Sequence, residues 1–157
     1  PERYKCLFAD YISETDILLN GVYWEQGIPR LFEMGDMKKS NFRINTIADI
    51  SDDHNGSVPC NIGDATMEDP VYGVDKLSGK LTKPYLPGSV DVMAVGNLPN
   101  ELPRDASRYF GEQLMKFVLD DLLKGGSELL DHATIVKEGN LTETYQYMSA
   151  YSKPEVP

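Results

Sequence analysis

The sequence predicts an α/β fold built on a parallel sheet, and three observations support that prediction. Two short apolar runs, at 16–22 and 43–50, have the length and composition of buried strands. A loop and a short helical segment lie between them, so the order strand, helix, strand predicts a βαβ unit with parallel strands. A longer segment at 104–123 repeats apolar residues at helical spacing and supplies the main helix.

The first βαβ unit is predicted element by element. The nearly continuous apolar run DILLNGV at 16–22 predicts a strand buried on both faces. The loop YWEQGIP follows, and Pro29 suits the first position of a short helix, or two turns, ending before Ser40. The second strand, at 43–50, ends in an acidic cluster. Three aspartates are therefore expected close together at its carboxyl end: Asp49, Asp52 and Asp53.

The segment 58–89 is predicted as a long excursion between strands. It is rich in Pro, Gly, Asp and Lys and shows no helical period. A loop of this length inside a compact domain is usually functional or crosses the surface. The sequence DKLSGK at 75–80 is typical of a hairpin tip, and the chain is predicted to re-enter the sheet at 90–95.

The clearest helix is predicted at 104–123. Its apolar residues fall on one face: Ala106, Phe110, Leu114, Phe117, Val118 and Leu122. Pro103 suits the first turn, and the sequence KGG at 124–126 closes the helix. A short strand at 133–136 and a last helix capped by Thr142 are predicted after it.

Length and charge limit the class of protein. A chain of 157 residues is the size of one domain and can bury a core without disulfides or metal. The net charge of -10, with 15 dispersed Lys and Arg residues, argues against nucleic acid as a partner. No apolar run approaches the roughly 20 residues that cross a bilayer, and the start is no signal peptide, so we expect no membrane and a cytoplasmic location. Cys6 and Cys60 are predicted as free, mostly buried thiols.

The acidic cluster first suggests calcium, because oxygen ligands alternate there as in an EF-hand loop: Asp49, Ser51, Asp53 and Asn55. Such a loop needs glycine at its sixth position and glutamate at its twelfth, where this chain has His54 and Cys60. The spacing therefore excludes that site, and we expect no metal. A solvated turn without function is the alternative to a ligand site.

The loops after the predicted strands form the candidate site, because ligands of open α/β sheets bind outside the carboxyl ends of the strands. Three such loops are GVYW at 21–24, DISDDHNGS at 49–57 and VGNLP at 95–99. Their glycines permit close approach to a flat cofactor. No GxGxxG or GxxxxGK[ST] motif occurs, so the pyrophosphate loop of any dinucleotide is expected outside this chain.

Three motifs, in this order, resemble one enzyme family. They are IADISDDHNGS at 47–57, ATMEDPVYGVD at 65–75 and VMAVGNLPNELPRDASRYFGEQL at 92–114. They are similar to the carboxyl-terminal part of the lysine-forming saccharopine dehydrogenase and lysine-ketoglutarate reductase family, within the alanine dehydrogenase and transhydrogenase superfamily. The resemblance extends over 16–151 and implies the carboxyl-terminal half of a Rossmann-like cofactor domain.

The resemblance implies an oxidoreductase that uses NAD or NADP and acts on a CH–NH bond of a small amino acid. Hydride would move between the nicotinamide and the carbon that carries the nitrogen. Asp53 matches the superfamily's acidic residue beside the nicotinamide, where it would bind the ribose or position a water or amine. Asp49 and Asp52 are then expected to have structural or solvated roles. The residues that match the family's cofactor contacts are Gly21, Val22, Tyr23, Ile50, Val95, Gly96, Asn97 and Leu98.

Two positions depart from the family pattern. Gly96 stands where the saccharopine branch usually has an acidic residue. Asn55 replaces a usual glycine, and asparagine tolerates the left-handed backbone that glycine would adopt. The first departure leaves the substrate open, and the choice between NAD and NADP is open as well.

The resemblance also implies a division of the chain. Residues 1–103 would form part of the cofactor domain, and 104–157 a linking helix followed by a strand and helix that return to a substrate domain. The family's amino-terminal domain is not in this sequence, so the isolated chain is expected to be inactive. It is also expected to associate with itself or with that segment. An alanine dehydrogenase-type enzyme and a non-catalytic Rossmann-like interaction module are the alternatives.

Overall fold

The computed structural model describes residues 5–152. The chain divides after Glu101 into two compact units. We call residues 5–101 the sheet unit and residues 102–152 the helical unit.

The sheet unit is built on a five-stranded mixed sheet. Its strands are β1 (Ile17–Asn20), β2 (Thr46–Asp49), β3 (Val71–Asp75), β4 (Leu81–Thr82) and β5 (Ser89–Met93). Their order in the sheet is β1-β2-β5-β3-β4, in which β1, β2 and β5 are parallel, whereas β3 runs antiparallel to both β5 and β4. The predicted α/β class and its parallel strands are confirmed, but the sheet is not parallel throughout.

Alternation along β2 explains how the sheet is anchored. Ile47 pairs with Leu18 on one side and Val92 on the other, and all three are buried. Because side chains alternate between the faces of a strand, Asp49 lies on the same buried face as Ile47. Phe32 and Phe42 pack edge to face against this core, with ring centroids 5.2 Å apart. The remaining buried apolar residues of the cluster are Ile12, Met37, Ile44, Val58, Cys60, Val74, Val90 and Ala94.

The prediction that the first strand is buried on both faces is wrong. Ile17 and Leu19 are 71% and 69% exposed. They point to the sheet face opposite Leu18, and no part of the sheet unit as described covers that face at β1. The strand is therefore half-buried.

The connection between β1 and β2 forms turns, as predicted. A 3₁₀ helix at Asp36–Lys38 places Met37 in the core. Three further 3₁₀ helices lie at Phe8–Asp10, Ile12–Glu14 and Leu98–Glu101. Both cysteines are free, and Cys60 is fully buried while Cys6 is partly buried, which confirms the predicted thiols.

The predicted excursion at 58–89 contains part of the sheet. The hairpin tip at 75–80 is confirmed, since Asp75 Oδ1 accepts hydrogen bonds from the Ser78 amide and hydroxyl, each 2.6 Å long. However, β3 pairs with β5 along its whole length. The chain therefore enters the sheet already at β3, before the predicted re-entry at 90–95. The sequence does not predict this, because β3 pairs antiparallel with β5 on the side away from the parallel strands, and the βαβ pattern gives no signal for such a strand.

The helical unit begins with α1 (Pro103–Phe117) and α2 (Leu119–Lys124), separated at Val118. Gly125 closes α2 in the left-handed conformation (φ 89°), as predicted. Next come α3 (Glu128–Ala133), the two-residue strands β6 (Val136–Lys137) and β7 (Asn140–Leu141), a 3₁₀ helix (Glu143–Met148) and α4 (Ser149–Ser152).

Four details of the helical unit differ from the prediction. The helix predicted at 104–123 is divided into α1 and α2, because Val118 has a non-helical backbone (φ -121°, ψ -38°). α3 was not expected, although Ser127 caps it by accepting a hydrogen bond from the Leu130 amide. The strand predicted at 133–136 starts only at Val136. Thr142 precedes the last helical segment but does not cap it, because its hydroxyl donates to the Thr134 carbonyl (2.7 Å).

None of residues 102–151 is buried. The predicted apolar face of α1 and α2 is present, yet Phe110, Leu114, Phe117 and Leu122 are 42% to 65% exposed. Among residues 5–152, no helix is both long and apolar enough to span a bilayer.

Candidate functional site

The carboxyl ends of three parallel strands meet at one edge of the sheet. β1, β2 and β5 are neighbours, so the loops that follow them leave adjacent strand ends. Two hydrogen bonds join the first two loops: the Ile50 amide donates to the Asn20 carbonyl (2.8 Å), and the Ser51 hydroxyl donates to the Val22 carbonyl (2.7 Å). The structure therefore places every predicted cofactor residue at this edge: Gly21, Val22, Tyr23, Ile50, Val95, Gly96, Asn97 and Leu98.

Most of these residues face solvent. Val22, Tyr23 and Ile50 are 45%, 79% and 47% exposed, and Gly96 and Asn97 are exposed as well. We call the exposed set the strand-end surface: Gly21, Val22, Tyr23, Ile50, Gly96 and Asn97. It combines apolar side chains with two glycines, which suits contact with a flat ring.

Val95 and Leu98 differ from the rest. Val95 is 7% exposed, and its backbone forms a parallel bridge with Ala65. Leu98 is half-buried at the start of a 3₁₀ helix. The Val95 side chain therefore belongs to the core side of the strand end.

A buried cluster of polar side chains lies directly beneath the strand-end surface. Asn20 Nδ2 donates to Asp49 Oδ1 (2.7 Å) and to Ser57 Oγ (2.9 Å), and Asn61 Nδ2 donates to Asp49 Oδ2 (3.0 Å). All four residues are at most 2% exposed. We call Asn20, Asp49, Ser57 and Asn61 the buried polar cluster. Because both carboxyl oxygens of Asp49 are used, the ends of β1 and β2 and the loop at 57–61 are held in fixed positions.

The buried polar cluster also orients the loops above it. The Val22 amide donates to Asn20 Oδ1 (3.3 Å), and the Asp52 amide donates to Asp49 Oδ1 (3.2 Å). The backbone of two loops that carry candidate residues is therefore attached to buried side chains. The predicted structural role of Asp49 fits these contacts.

Asn61 extends the cluster to β3. Its Oδ1 accepts hydrogen bonds from the Gly63 amide (3.1 Å) and the Tyr72 hydroxyl (3.3 Å), and that hydroxyl accepts one from the Ile62 amide (3.1 Å). Burial raises the pKa of Tyr72 to about 12, so the hydroxyl stays protonated at neutral pH. Tyr72 can therefore act as the donor that this arrangement requires.

The carboxyl group of Asp52 faces a candidate cofactor residue, Gly96. The backbone of Asp52 is left-handed (φ 52°), and its Oδ1 accepts a hydrogen bond from Asn61 Nδ2 (3.1 Å). A Cβ atom at Gly96 would lie 3.0 Å from Asp52 Oδ2 and 3.4 Å from Asp64 Oδ2. Two carboxyl groups thus occupy the space beside Gly96, where an acidic side chain would be a third.

The environment of Asp52 favours its protonated form. Burial raises its pKa, the hydrogen bond from Asn61 lowers it, and the nearby carboxyl groups of Asp64, Asp49 and Asp53 raise it further. Part-burial and neighbouring negative charge therefore combine at this one carboxyl group. The role predicted for Asp52 from the sequence is structural or solvated, and no local signal distinguishes it from Asp53.

Asp53 lies in the turn that follows. It is half-buried, and its carboxyl group accepts no hydrogen bond within residues 5–152. Its backbone carbonyl accepts from the Gly56 amide (2.8 Å), and a Cβ at Gly56 would lie 2.4 Å from the Asp53 Cβ. Only glycine fits at 56. Asn55 has φ 52°, which confirms the left-handed backbone expected where the family has glycine.

Three members of this arrangement are not predicted by the sequence patterns. Asn20 ends an apolar run at an inward position, and the alternation of the strand could have identified it. Asn61 and Tyr72 lie in the predicted excursion; the motif at 65–75 contains Tyr72 but assigns it no role, and no pattern indicates Asn61. Within the described part of the chain, no three His, Cys, Asp or Glu side chains are arranged to hold a metal ion.

Comparison with known proteins finds relatives of this chain, although no family model matches it. The chain is 33% identical to the rat protein named alpha-aminoadipic semialdehyde synthase, mitochondrial, in an alignment covering 94% of the chain and 19% of that protein. It is 29% identical to alpha-aminoadipic semialdehyde synthase from Arabidopsis thaliana, covering 98% of the chain and 15% of the relative.

A second group of relatives is fungal. The saccharopine dehydrogenase [NAD(+), L-lysine-forming] of Emericella nidulans is 27% identical over 71% of the chain and 29% of that protein. The chain thus spans about a fifth of the length of the rat relative and less than a third of the fungal one.

Proposed function

Because the chain belongs to the family of the alpha-aminoadipic semialdehyde synthases and saccharopine dehydrogenases, we propose that it contributes part of the nicotinamide site of an amino-acid oxidoreductase. The reaction would oxidise or form a CH–NH bond of a small amino acid. NAD or NADP would accept or supply the hydride when bound. One observation supports this proposal above all: three adjacent parallel strands end in loops that share one exposed edge.

The strand-end surface fits the nicotinamide end of a dinucleotide better than its phosphates. Its exposed Val22, Tyr23 and Ile50 offer apolar contact to a ring, and Gly21 has no atom within 4 Å of where a Cβ would lie. The sequence offers no glycine-rich phosphate loop. We therefore propose that these residues contact the nicotinamide and its ribose, and that the isolated chain does not turn over substrate.

Two aspartates are candidates for work on the substrate. We propose Asp53 as the catalytic residue, because its carboxyl group is free to bind a ribose hydroxyl or to orient a water or amine. Asp52 is a second candidate, since its carboxyl group faces Gly96. Its pKa is raised toward neutral pH, which favours a role in proton transfer. Asp53→Asn and Asp52→Asn, assayed in the whole enzyme of a relative at the matching positions, would separate the two roles.

The exposed apolar face of the helical unit supports a proposal about partners. An amphipathic helix normally buries its apolar face, but Phe110, Leu114 and Leu122 are exposed on the apolar face that α1 and α2 share. We propose that this face associates with a second copy or with another part of a longer polypeptide. The predicted cytoplasmic location stays a prediction, because the name of the rat relative carries the word mitochondrial.

Binding of nicotinamide mononucleotide to the 157-residue chain tests the proposed site. We expect saturation-transfer NMR to show contact with the ring protons, and Tyr23→Ala to weaken binding at least threefold. Tyr85→Ala is the matched control, since Tyr85 is equally exposed (75% against 79%) but follows β4. Absence of transfer, or equal loss in both variants, would contradict the proposal.

A further inference from the structure

A cavity of about 460 Å³ lies between the loop after β1 and the loop after β2. The residues that line it are Trp24, Gln26, Ile28, Pro29, Arg30, Glu33, His54 and Asn55. Its size is within the range of small-molecule sites. It is not one of the predicted cofactor positions, yet both loops start at the sheet edge that carries the strand-end surface.

Arg30 is the cationic wall of this cavity. Its Nη2 donates to the Asn55 carbonyl (2.9 Å), which joins the two loops, and its Nη1 donates to Glu33 Oε2 (3.1 Å). These bonds use two of the five N–H groups of the guanidinium, and the other three have no partner within residues 5–152. The side chain is 26% exposed, so it is held in place but open to a ligand.

Trp24 and the apolar residues complete the cavity wall. The Arg30 guanidinium carbon lies 5.9 Å from the centre of the Trp24 ring, and Trp24 Nε1 donates to the Ile28 carbonyl (2.8 Å). The ring is therefore fixed beside the cation. Ile28 and Pro29 add apolar surface that suits a short carbon chain.

The contact between Arg30 and Glu33 shows that the guanidinium can bind a carboxylate in this position. The Glu33 carboxylate already occupies Nη1, but it is 66% exposed, and exposed ion pairs of this kind contribute little to stability. An incoming carboxylate can displace it and bind through two parallel hydrogen bonds. A phosphate is less suited, because the cavity offers one cation and neither a glycine-rich loop nor a helix amino terminus.

We propose that the cavity lined by Trp24, Arg30 and His54 is a carboxylate-binding subsite. It takes an acidic group of a small organic acid, with the carbon chain against Ile28 and Pro29. This assignment rests on the proposed function where the acid is the amino-acid substrate. The reacting carbon of that substrate would then approach the strand-end surface. Arg30 is the specificity-determining residue for that acidic group.

Titration of the 157-residue chain with glutarate tests this subsite, because Trp24 is the single tryptophan and reports directly on the cavity. We expect a saturable change in Trp24 fluorescence with a millimolar Kd, and a much weaker change with uncharged glutaramide at equal ionic strength. Arg30→Gln should weaken glutarate binding at least tenfold, and Arg30→Lys should be intermediate because it keeps charge but loses the planar fork.

Arg30→Gln could weaken binding only because it removes the contact to Asn55 and disturbs the loop, and Glu33→Gln controls for this. This variant keeps the bond from Arg30 to Asn55 and frees Nη1, so it should bind glutarate a few-fold more tightly. Arg43→Gln is the matched control, since Arg43 pairs with Asp16 away from the cavity and should leave binding unchanged. Unsaturable titration, or unchanged binding in both Arg30→Gln and Glu33→Gln, overturns the subsite.

Inorganic phosphate distinguishes a carboxylate subsite from a general anion site. Phosphate binding as tight as that of glutarate, and equally lost in Arg30→Gln, overturns the carboxylate assignment. The titration uses no nicotinamide compound. If the chain binds glutarate but not nicotinamide mononucleotide, the result contradicts the proposed function and supports the carboxylate subsite.

Discussion

The sheet unit and the helical unit treat the same kind of residue in opposite ways. In the sheet unit, Ile44, Ile47, Val90 and Val92 are fully buried. In the helical unit, the large side chains on the apolar face of α1 and α2 are exposed (Phe110, Leu114, Phe117 and Leu122), and none of the residues of these two helices is buried. The difference shows that the sheet unit contains the partners of its own core, whereas the apolar pattern of the helical unit has no partner within that unit.

Polar groups show the same contrast. In the sheet unit, Asn20 bonds to Asp49 across 29 residues of sequence, and to Ser57 across 37. The side-chain hydrogen bonds found among residues 102–152 join residues at most 13 apart, as from the Tyr145 hydroxyl to the His132 carbonyl. Long-range polar contacts make the strand ends of the sheet unit depend on one another, so a change in one buried group should affect several loops.

Loss of the Asp49 carboxyl group should produce the largest effect. Asp49→Ala removes the acceptor of three N–H groups, which are one N–H of Asn20 Nδ2, one N–H of Asn61 Nδ2 and the Asp52 amide. The second N–H of each asparagine keeps its bond, to Ser57 and to Asp52 respectively. A buried donor without a partner costs about 1–3 kcal/mol, so we expect a loss of at least about 3 kcal/mol in the free energy of unfolding. Urea denaturation followed by Trp24 fluorescence measures it.

Asp16→Ala is the matched control for that variant. Asp16 precedes β1 and pairs with Arg43 at 2.8 Å, but both side chains are more than half exposed. We expect a loss below about 1 kcal/mol. Equal losses in the two variants would remove the distinction between buried and exposed polar groups on which the comparison depends.

The sequence predicted the parts of the fold that depend on local pattern. The parallel strands β1, β2 and β5, the hairpin tip at 75–80 and the long helix follow from apolar periodicity and turn residues. The pairing of β3 with β5 does not, because it joins segments across a loop and has no local signature. α3 was missed because it is six residues long and weakly patterned.

The candidate site could be predicted as a place but not as a network. Strand order brings the predicted loops together, since all follow parallel strands. That Asp49 is buried follows from its position two residues after Ile47. Asn61 bonds to both Asp49 and Asp52 because of the path of the loop before it, in which every residue from 56 to 61 is buried. This path could not be predicted, because the composition of the segment indicated an exposed turn.

A smaller effect is expected from the pH dependence of Asp52. Below the ordinary carboxyl pKa of 3.8 the group is protonated in both the folded and the unfolded state. Above it, the folded state keeps the proton longer because its pKa is raised, so the unfolded state binds fewer protons. Stability from Asp52 is therefore present at acid pH and is lost as the pH rises through the folded pKa.

Asp52→Asn tests this directly, since its amide oxygen can still accept from Asn61. We expect the variant to equal the wild type at pH 3 and to exceed it in stability at pH 7, by urea midpoints. Asp75→Asn should do the opposite, because hydrogen bonds from Ser78 lower the pKa of Asp75 and stabilise its charged form. The same sign in both variants would contradict the assignment.

The smallest effect is expected on the exposed helical face. Leu114 is 42% exposed in α1, and alanine is the better helix former. Leu114→Ala should therefore change the free energy of unfolding of the helical unit by no more than about 0.5 kcal/mol at low protein concentration, measured by circular dichroism at the helix band. Ile47→Ala, in the sheet unit, should cost about 2–5 kcal/mol because it opens a cavity in the core.

Protein concentration turns this small effect into a test of what the helical face binds. If a second copy covers Leu114, association stabilises the folded chain by mass action, and the cost of Leu114→Ala grows as the concentration rises. Sedimentation velocity should then show a dimer for the wild type and a monomer for the variant. A cost above about 2 kcal/mol at every concentration would instead contradict the exposure of this face, because only a buried leucine loses that much on truncation to alanine.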